Sequence, residues 1–271
     1  MSVQNLPIRV AITGAGGRMG CQLLSEIKKS ENVILGGALE NRHSHLIGSI
    51  ISSESNIKIT SEINEIKNDF DVLIDFSNPE STMFYLDFCL KNKKKMIIGT
   101  TGFNNEQISS IKSVSENISI VLSANFSIGV NVMLRLLEQT AKIMGKQCDI
   151  EIIEIHHRKK IDAPSGTALT MGKTIADTLN LNFNDCAIYG RNGQETTIRK
   201  NNTIGFSSIR AGDIVGEHTV IFANDGERIE ITHKASSRST FANGAIKAAI
   251  WISDKDNGLF DMSKVLNLYK E

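Results

Sequence analysis

The stretch EIIEIHHRKKIDAPSGTA, residues 151–168, gathers residue types that can bind an anion and move a proton. Two histidines, His156 and His157, follow a strand-like alternation of isoleucines, and Lys160 lies in the basic segment after them. A Pro-Ser-Gly-Thr turn at 164–167 then begins a helical pattern. Histidine donates or accepts protons near neutral pH, and a helix N-terminus attracts anions. The stretch therefore suits a doubly charged anionic substrate that must also receive a proton.

The two histidines are expected to have different tasks. Consecutive residues of a strand point to opposite faces, so His156 and His157 should not share one job. The N–H groups that begin the helix, together with the Ser165 and Thr167 hydroxyls, would form a carboxylate cradle. Taken singly, a strand-end histidine is more often a hydrogen-bonded structural residue, and a basic loop is more often solvated. Their combination in one short segment favours a functional site.

A second candidate site lies near the start of the chain, at the sequence GAGGRMG of residues 14–20. Its spacing is GxGxxxG, not the strict GxGxxG, but a strand pattern precedes it, a helical pattern follows it, and an acid comes about twenty residues later. Glycines let the backbone approach a pyrophosphate, and the acid can accept hydrogen bonds from a ribose diol. A glycine-rich turn without a ligand is the alternative. The expected cofactor contacts are Gly14, Ala15, Gly16, Gly17, Arg18, Met19 and Glu40.

Two further segments fall where strands of the same sheet are expected to end. In an open parallel sheet, ligands bind beyond the carboxyl ends of the strands. Backbone and amide groups in these segments could contact a nicotinamide and its ribose, although simple turn chemistry explains them equally well. The candidate contacts are Gly99, Thr100, Thr101, Ser123, Ala124, Asn125 and Phe126.

The predicted secondary structure that positions these residues changes along the chain. Up to about residue 125, short apolar runs alternate with helical patterns, which predicts a Rossmann-like, doubly wound parallel sheet. From Ser127 a helix leads into a run of short strands, which predicts an antiparallel or mixed sheet. The segments 240–252 and 259–268 are expected to be helices that cover the first domain. Residues 43–68 show no clear pattern.

The fold class predicted from these patterns is α/β, with a Rossmann-like N-terminal domain and a central α+β domain. Residues 1–127 and 238–271 are expected to bind the dinucleotide. Residues 128–237, which contain His156, His157 and Lys160, are expected to bind substrate.

Composition excludes several other classes of protein. Hydrophobic residues make up 41% of the chain and charged residues 22%, and the formal net charge is zero, so no global field favours nucleic acid or an anionic membrane. No apolar run approaches the roughly 18 residues of a membrane span. The cysteines are far apart and show no CxxC pairing, which predicts reduced thiols in a cytoplasmic protein and no metal site.

These residues resemble the 4-hydroxy-tetrahydrodipicolinate reductases (dihydrodipicolinate reductases) of lysine and diaminopimelate biosynthesis. The block EIIEIHHRKKIDAPSGTA is the most specific part of the resemblance. Further blocks follow in family order and cover nearly the whole chain: GAGGRMG, ALE, IGTTGF, ANFSIGVN, TIGF, RAGDIVGEHTV, ITHKASSR and TFANGA.

The resemblance implies a reductase that uses NADH or NADPH on a cyclic dicarboxylate. It implies that His156 is the proton donor or acceptor and that Lys160 is a second proton donor. It also implies that His157 and the backbone of Gly166 and Thr167 bind the substrate carboxylates. A homotetramer built through the sheet of the central domain is implied as well.

One position departs from the family pattern and bears on the choice of cofactor. Many members place an arginine directly after the ribose-binding glutamate, where it can meet the 2′-phosphate of NADPH. Here Asn41 takes that position and the arginine comes one residue later, at Arg42. We therefore expect NADH to be used at least as well as NADPH.

Two other functions compete with this interpretation. An NAD-linked amino-acid or semialdehyde dehydrogenase is one, but a semialdehyde enzyme that acts through a thioester needs an activated cysteine. Neither Cys89 nor Cys148 lies in a turn typical of such a nucleophile. A nucleotide-binding sensor without chemistry is the other, and it has no need of His156, Lys160 and the turn that follows them.

Overall fold

Two sheets organise the part of the chain that the computed structural model describes, residues 6–52, 56–193 and 198–269. The chain divides into two compact units. The first comprises Met1–Ile128 and Arg238–Glu271, and the second comprises Gly129–Ser237. Each unit has its own sheet, and apolar cores pack within each unit.

The first unit is built on an eight-stranded sheet in the order β13-β7-β6-β5-β1-β2-β4-β3. Its pairs are parallel except for the β3–β4 pair. The strands are β1 (Ile8–Thr13), β2 (Val33–Leu39), β3 (Ile50–Ser52), β4 (Ile57–Thr60), β5 (Val72–Asp75), β6 (Lys95–Ile98), β7 (Ser119–Leu122) and β13 (Gly258–Phe260). The doubly wound parallel sheet expected from the sequence is confirmed.

Helices cover both faces of this sheet, which explains why its central strands are mostly apolar. One core packs the sheet against α1 and α7, and the other packs it against α2 and α3. Asn78 and Asn104 cap α2 and α3 with their side chains. The helices are α1 (Arg18–Lys28), α2 (Pro79–Asn92), α3 (Asn105–Ser115), α7 (Ser239–Ile252) and α8 (Met262–Val265).

The second unit has a five-stranded mixed sheet in the order β12-β11-β8-β10-β9. β10 is parallel to β8 and β9, whereas β11 is antiparallel to β8 and β12. Its elements are α4 (Ile128–Met144), β8 (Asp149–His156), α5 (Gly166–Leu179), α6 (Phe183–Cys186), β9 (Ala187–Tyr189), β10 (Ile204–Arg210), β11 (Gly216–Asn224) and β12 (Glu227–Ala235).

Alternation along β8 decides which of its side chains face the helices. Ile150, Ile152, Glu154 and His156 are buried, and the residues between them are more exposed. The two isoleucines pack with residues of α4 and α5 in the core of the unit. Because strand side chains alternate, the polar Glu154 and His156 continue the same buried face at the carboxyl end of the strand.

One predicted element is wrong. Residues 259–268 are not a helix: Leu259 and Phe260 belong to β13, which pairs with β7 in parallel. Asp261 then accepts hydrogen bonds from Ser263 N and Lys264 N and so begins the short α8. Backbone pairing with β7 and the cap at Asp261 outweigh the helical spacing of the apolar residues.

Residues 43–68, which had no clear pattern, contain β3, β4 and a short 3-10 helix at Ile63–Ile66. No helix among the residues that the structure describes combines the length and the apolar character that a membrane crossing requires.

Candidate active site

The glycine loop between β1 and α1 has a geometry that requires its glycines. Gly14 has a φ of +62°, in the left-handed region, and Gly17 N donates to Gly14 O at 2.9 Å. A Cβ at Gly20 would lie 2.1 Å from Gly14 O and 2.7 Å from Ala15 O. The loop therefore turns tightly and packs against the first turn of α1, as a pyrophosphate-binding turn does.

The start of α1 fits a bound anion. Gly17 is its N-cap and supplies no side chain to the first-turn N–H groups, and the first turn holds no acidic residue. Arg18 and Met19 lie in that turn. Uncapped N–H groups and the positive end of the helix dipole suit the pyrophosphate of a dinucleotide, so the residues present fit this cofactor.

Glu40 lies beside the glycine loop, one residue after β2 ends. Its Oε1 accepts a hydrogen bond from Gly16 N at 2.8 Å, and its Oε2 accepts one from Asn41 N at 3.0 Å. The chain has already entered a turn here, since Ser44 N donates to Asn41 O at 2.8 Å. Arg42 is exposed in this turn. The carboxylate is thus held next to the loop, where a ribose-binding acid belongs.

The other predicted cofactor contacts follow β6 and β7, which are neighbouring parallel strands of the same sheet. Gly99, Thr100 and Thr101 follow β6, and residues 123–126 follow β7. A Cβ at Gly99 would lie 2.1 Å from the Phe76 ring. These segments therefore share one edge of the sheet with the glycine loop.

Within the segment after β7, the residues differ in exposure. Ala124 is exposed, Ser123 and Asn125 are half-buried, and Phe126 is buried with its ring edge-on to Phe76. Phe126 can therefore offer a ligand its backbone but little of its side chain.

A buried carboxylate that the sequence analysis missed holds the ends of these strands together. Asp75, the last residue of β5, is fully buried. Its Oδ1 accepts from Thr13 Oγ1 at 2.5 Å, and its Oδ2 accepts from Thr82 Oγ1 at 2.5 Å. Ser77 N donates both to Asp75 Oδ1 and to Thr100 Oγ1. Asp75 thus fixes the end of β1, directly before the glycine loop.

In the second unit, the His156 imidazole lies against a buried carboxylate. Glu154 is 1% exposed, and its Oε2 is 2.5 Å from His156 Nδ1. Arg210 donates from Nη1 to Oε2 and from Nη2 to Oε1 of the same carboxylate, both at 2.8 Å. A Cβ at Gly216 would lie 3.0 Å from His156 Nε2, so a larger residue there would press on the imidazole.

The charges around this carboxylate keep it ionised. Burial alone would favour the neutral acid, but hydrogen bonds from Arg210, Ser208 and His156 lower the pKa of Glu154 to about 2. Burial lowers the pKa of His156, and the Glu154 carboxylate opposes that shift. His156 is therefore a weakly basic imidazole beside a permanent anion.

The first turn of α5 is tied to the same carboxylate. Ser165 is the N-cap, its hydroxyl accepts from Ala168 N, and its own N–H donates to Glu154 Oε1 at 3.2 Å. Ser165 Oγ also lies 3.0 Å from His218 Nε2. Ser165 is 2% exposed, and its hydroxyl already contacts Ala168 N and His218, so its part in a carboxylate cradle stays a prediction.

Gly166 and Thr167 begin α5 directly after the cap. A Cβ at Gly166 would meet no atom within 4 Å, so its surroundings are open. Their N–H groups are at the positive end of the helix dipole. This turn can therefore bind a carboxylate through its backbone.

Lys160 lies in the loop between β8 and α5. Its N–H donates to His157 O at 3.0 Å, and its Nζ forms an ion pair with Asp162 Oδ1 at 2.8 Å. The Asp162 side chain is 59% exposed, so an anionic ligand can compete with it for the ammonium group. His157 is half-buried in the turn. The loop presents a cation beside the strand end that carries His156.

Three residues of this network were missed: Glu154, Arg210 and His218. The first was detectable, since it lies two positions before His156 and so shares its strand face. Arg210 and His218 meet these residues only through strand pairing, where Arg210 pairs with His156 and His218 with Glu154.

Three of the four cysteines, Cys89, Cys148 and Cys186, are poor candidates for a reactive nucleophile. Burial raises the pKa of Cys89, Cys148 and Cys186, which disfavours a thiolate nucleophile. Among residues 6–52, 56–193 and 198–269, no three His, Cys, Asp or Glu residues form a group that could hold a metal ion.

Comparison with known families agrees with both halves of this arrangement. The model described as "Dihydrodipicolinate reductase, N-terminus" matches residues 8–126, and "Dihydrodipicolinate reductase, C-terminus" matches residues 129–266. The chain belongs to the dihydrodipicolinate reductase family. The family, the fold class and the enzyme class expected from the sequence are confirmed.

Solved structures show the same relationship. A dipicolinate-bound dihydrodipicolinate reductase from Paenisporosarcina sp. TG-14 is 26% identical, with a TM-score of 0.76 over 94% of this chain and 98% of that one. Aspartate semialdehyde dehydrogenase II from Vibrio cholerae is 12% identical, with a TM-score of 0.57 over 92% and 100%. A probable dehydrogenase from Thermotoga maritima is 9% identical, with a TM-score of 0.62 over 96% and 93%. The last two share the fold alone.

The protein is thus an NAD(P)H-dependent oxidoreductase of lysine and diaminopimelate biosynthesis, and it catalyses the reduction of dihydrodipicolinate. A nicotinamide cofactor follows from the family and from the Rossmann-like unit. The sensor and the semialdehyde dehydrogenase considered above are set aside by the family match.

Proposed function

We propose that His156 and Lys160 supply the proton that completes the reduction, and that His157 and the first turn of α5 hold the substrate carboxylates. One observation carries this proposal. The carboxylate of Glu154 contacts both His156 Nδ1 and Ser165 N, so the imidazole and the start of α5 are neighbours. A proton donor next to an anion-binding turn matches the needs of an unsaturated dicarboxylate.

The chain contributes orientation, charge and a proton. Gly166 and Thr167 N–H groups, His157 and the Lys160 ammonium fix the carboxylates, which sets the ring in one orientation. Hydride addition to a conjugated imine leaves an enamine-like anion on the substrate, and a neighbouring carbon must then take a proton. His156 Nε2 is free to give it, because its Nδ1 is held by Glu154. The dipicolinate bound by the Paenisporosarcina relative supports this assignment of substrate chemistry.

The nicotinamide cofactor supplies the hydride when it is bound. The first turn of α1 would take the pyrophosphate, and Glu40 would take a ribose diol. The segments 99–101 and 123–126 would line the nicotinamide end. Asn41 carries no charge, and Arg42 is exposed in the following turn. We infer that NADH is used at least as well as NADPH.

The functional division of the chain follows. Residues 1–127 and 238–271 would bind the dinucleotide, and residues 128–237 would bind substrate and build a homotetramer through their sheet. The four cysteines are free thiols, in keeping with a cytoplasmic enzyme. A small molecule, not nucleic acid or a membrane, is the expected partner.

The test is oxidation of NADH and NADPH, followed by the loss of cofactor absorbance, with dihydrodipicolinate precursor generated enzymatically in the cuvette. We expect oxidation that depends on both the precursor and the protein. A chain that binds NADH yet oxidises none of it with this precursor would overturn the proposed chemistry.

A further inference from the structure

A buried ion pair between Glu154 and Arg210 lies against Nδ1 of His156, the proposed proton donor. Glu154 and His156 lie two residues apart on β8, and Arg210 reaches them from the paired strand β10. The carboxylate accepts two hydrogen bonds from Arg210 at 2.8 Å each and lies 2.5 Å from His156 Nδ1. Such a two-pronged pair fixes the plane of the carboxylate. The imidazole is therefore oriented by a rigid anion.

The same carboxylate also fixes the anion-binding turn. Its Oε1 accepts from Ser165 N at 3.2 Å, at the cap of α5. The cap is held further by His218, whose Nε2 lies 3.0 Å from Ser165 Oγ. His218 pairs in register with Glu154 across β8 and β11. One buried network thus joins the proton donor to the start of α5.

We propose that Glu154, held by Arg210, is a positioning residue for the reaction. It accepts the Nδ1 proton of His156, so that Nε2 carries the proton that is transferred, and it sets the separation between His156 and the first turn of α5. This proposal deepens the proposed function and rests on the assignment of His156 as proton donor.

The proton step balances as follows. The Nε2–H bond of the His156 imidazolium breaks, and its electron pair stays on Nε2. The electron pair of the substrate enamine forms the new C–H bond at the carbon next to the reduced one. His156 is left neutral with its proton on Nδ1, still donated to Glu154, so the carboxylate need not take up a proton. This is the role that a buried carboxylate plays behind a catalytic histidine.

The charge of the Glu154 carboxylate should have a measurable effect on the pKa of His156. The charged or titratable groups around His156 are Glu154 on its own strand, Lys160 and Asp162 in the following loop, Arg210 on β10 and His218 on β11, with His233 of β12 paired to His218. Burial lowers the pKa of His156, and Lys160 and Arg210 lower it further, whereas Glu154 raises it. Loss of the Glu154 charge should therefore move the His156 pKa further down.

The variant Glu154→Gln tests this by removing the charge while keeping the size of the side chain. A general acid must be protonated, so kcat/KM falls as pH rises above its pKa. We expect the alkaline limb of the pH profile to move toward acid by about one pH unit or more, because an opposite charge at this distance shifts a pKa by about 1 to 3 units. Glu154→Asp, which keeps the charge, should recover part of the wild-type profile.

Glu151→Gln is the matched control. Glu151 lies on the same strand and is also paired with arginines, Arg191 and Arg199, but it belongs to the opposite face. Its variant should keep the wild-type alkaline limb. An unshifted limb in a folded Glu154→Gln enzyme would overturn the proposal.

A second measurement needs no variant enzyme. The side-chain ¹⁵N shifts of His156, read in the wild-type protein above the pKa of the imidazole, report which nitrogen carries the proton. We expect protonation at Nδ1, and protonation at Nε2 would overturn the proposal. The proposed function fails separately: if His156→Ala keeps near-normal kcat, His156 is not the proton donor. If His156→Ala is inactive while Glu154→Gln keeps the wild-type profile, the positioning role alone is wrong.

Discussion

At the scale of single residues, His156 and Lys160 should differ in how their loss appears in the kinetics. His156→Ala should lower kcat by about 10²- to 10⁴-fold, the usual contribution of general acid catalysis, with little change in KM for substrate. Lys160→Ala should lower kcat and raise that KM, because its ammonium is proposed both to bind a substrate carboxylate and to supply a proton. Steady-state kinetics on both variants measure the changes in kcat and in KM separately.

NADH binding, followed by cofactor fluorescence, is the control for these two variants. The predicted cofactor contacts belong to the first unit, so both variants should bind NADH as the wild type does. A His156→Ala enzyme with near-normal kcat on the dipicolinate-type substrate would disprove the assignment.

His218 should make the stability of the fold depend on pH. Burial, with nearby His156, lowers the pKa of His218 to about 4. The unfolded chain, with an ordinary histidine pKa near 6.5, then binds the proton more readily, so stability is lost as pH falls from about 6.5 to about 4. The shift corresponds to about 3 kcal/mol of unfolding free energy.

Urea unfolding between pH 4.5 and 7.5 measures this loss, and His218→Gln should flatten it. The cap of α5 should be retained, because Ser165 Oγ accepts its hydrogen bond from Ala168 N, and a glutamine amide can replace the imidazole N–H as its neighbour. Glu154 affects the free energy of unfolding in a lower pH range. Its pKa of about 2 lies below the ordinary value of 4.5, so its stabilising contribution is lost only below about pH 4.5. Parallel pH profiles for wild type and variant would contradict the role of His218.

At the scale of elements, the N-terminus of α5 should bind planar dicarboxylates. Pyridine-2,6-dicarboxylate presents two carboxylates to Lys160, His157 and the Gly166–Thr167 backbone, so it should compete with substrate. Its inhibition should weaken as salt rises, because the contact is charge-assisted. Inhibition kinetics at two ionic strengths test both expectations. Inhibition that is competitive with the nucleotide but not with substrate would show that the dicarboxylate does not bind at the N-terminus of α5.

The turn after β2 should govern the choice between cofactors. In the proposed cofactor site, Glu40 would accept hydrogen bonds from a 2′-hydroxyl and repel a 2′-phosphate, and Asn41 would offer no compensating charge. Asn41→Arg should therefore improve kcat/KM with NADPH and leave NADH little changed. If the wild type prefers NADPH by more than about tenfold, about 1.4 kcal/mol, then Arg42 already meets the phosphate and the argument from Asn41 is wrong.

A helix or strand could be predicted where its local sequence pattern is clear. It could not be predicted where pairing with a distant strand determines the structure. The strand-glycine-helix pattern of β1 and α1 was predicted directly from the sequence. The segment at Leu259 was mistaken for a helix because its strand exists only through pairing with β7. The candidate site shows the same limit: His156 stands in a local motif, whereas Arg210 reaches it from a distant strand.

At the scale of the whole molecule, the sheet of the second unit has a face that a second copy could cover. Ile153, Ile155 and Ile221 alternate with the buried residues of β8 and β11 and stay half-buried, and Ile209 of β10 is 44% exposed. β12 is an edge strand of this sheet, nine residues long and largely exposed. Long edges and apolar sheet faces invite association, and the family resemblance implies a tetramer through this sheet.

We therefore expect the protein in solution to have the mass of four chains, as measured by light scattering on a sizing column. Ile221→Glu should dissociate the assembly, because the new carboxylate faces Glu151 and Glu230 on the neighbouring strands and puts charge into an apolar contact. Phe84→Glu, which replaces an exposed apolar residue on α2 of the first unit, is the matched control and should keep the full mass. A monomeric wild type, or a folded Ile221→Glu variant that keeps the mass of four chains, would show that this face of the sheet does not build the oligomer.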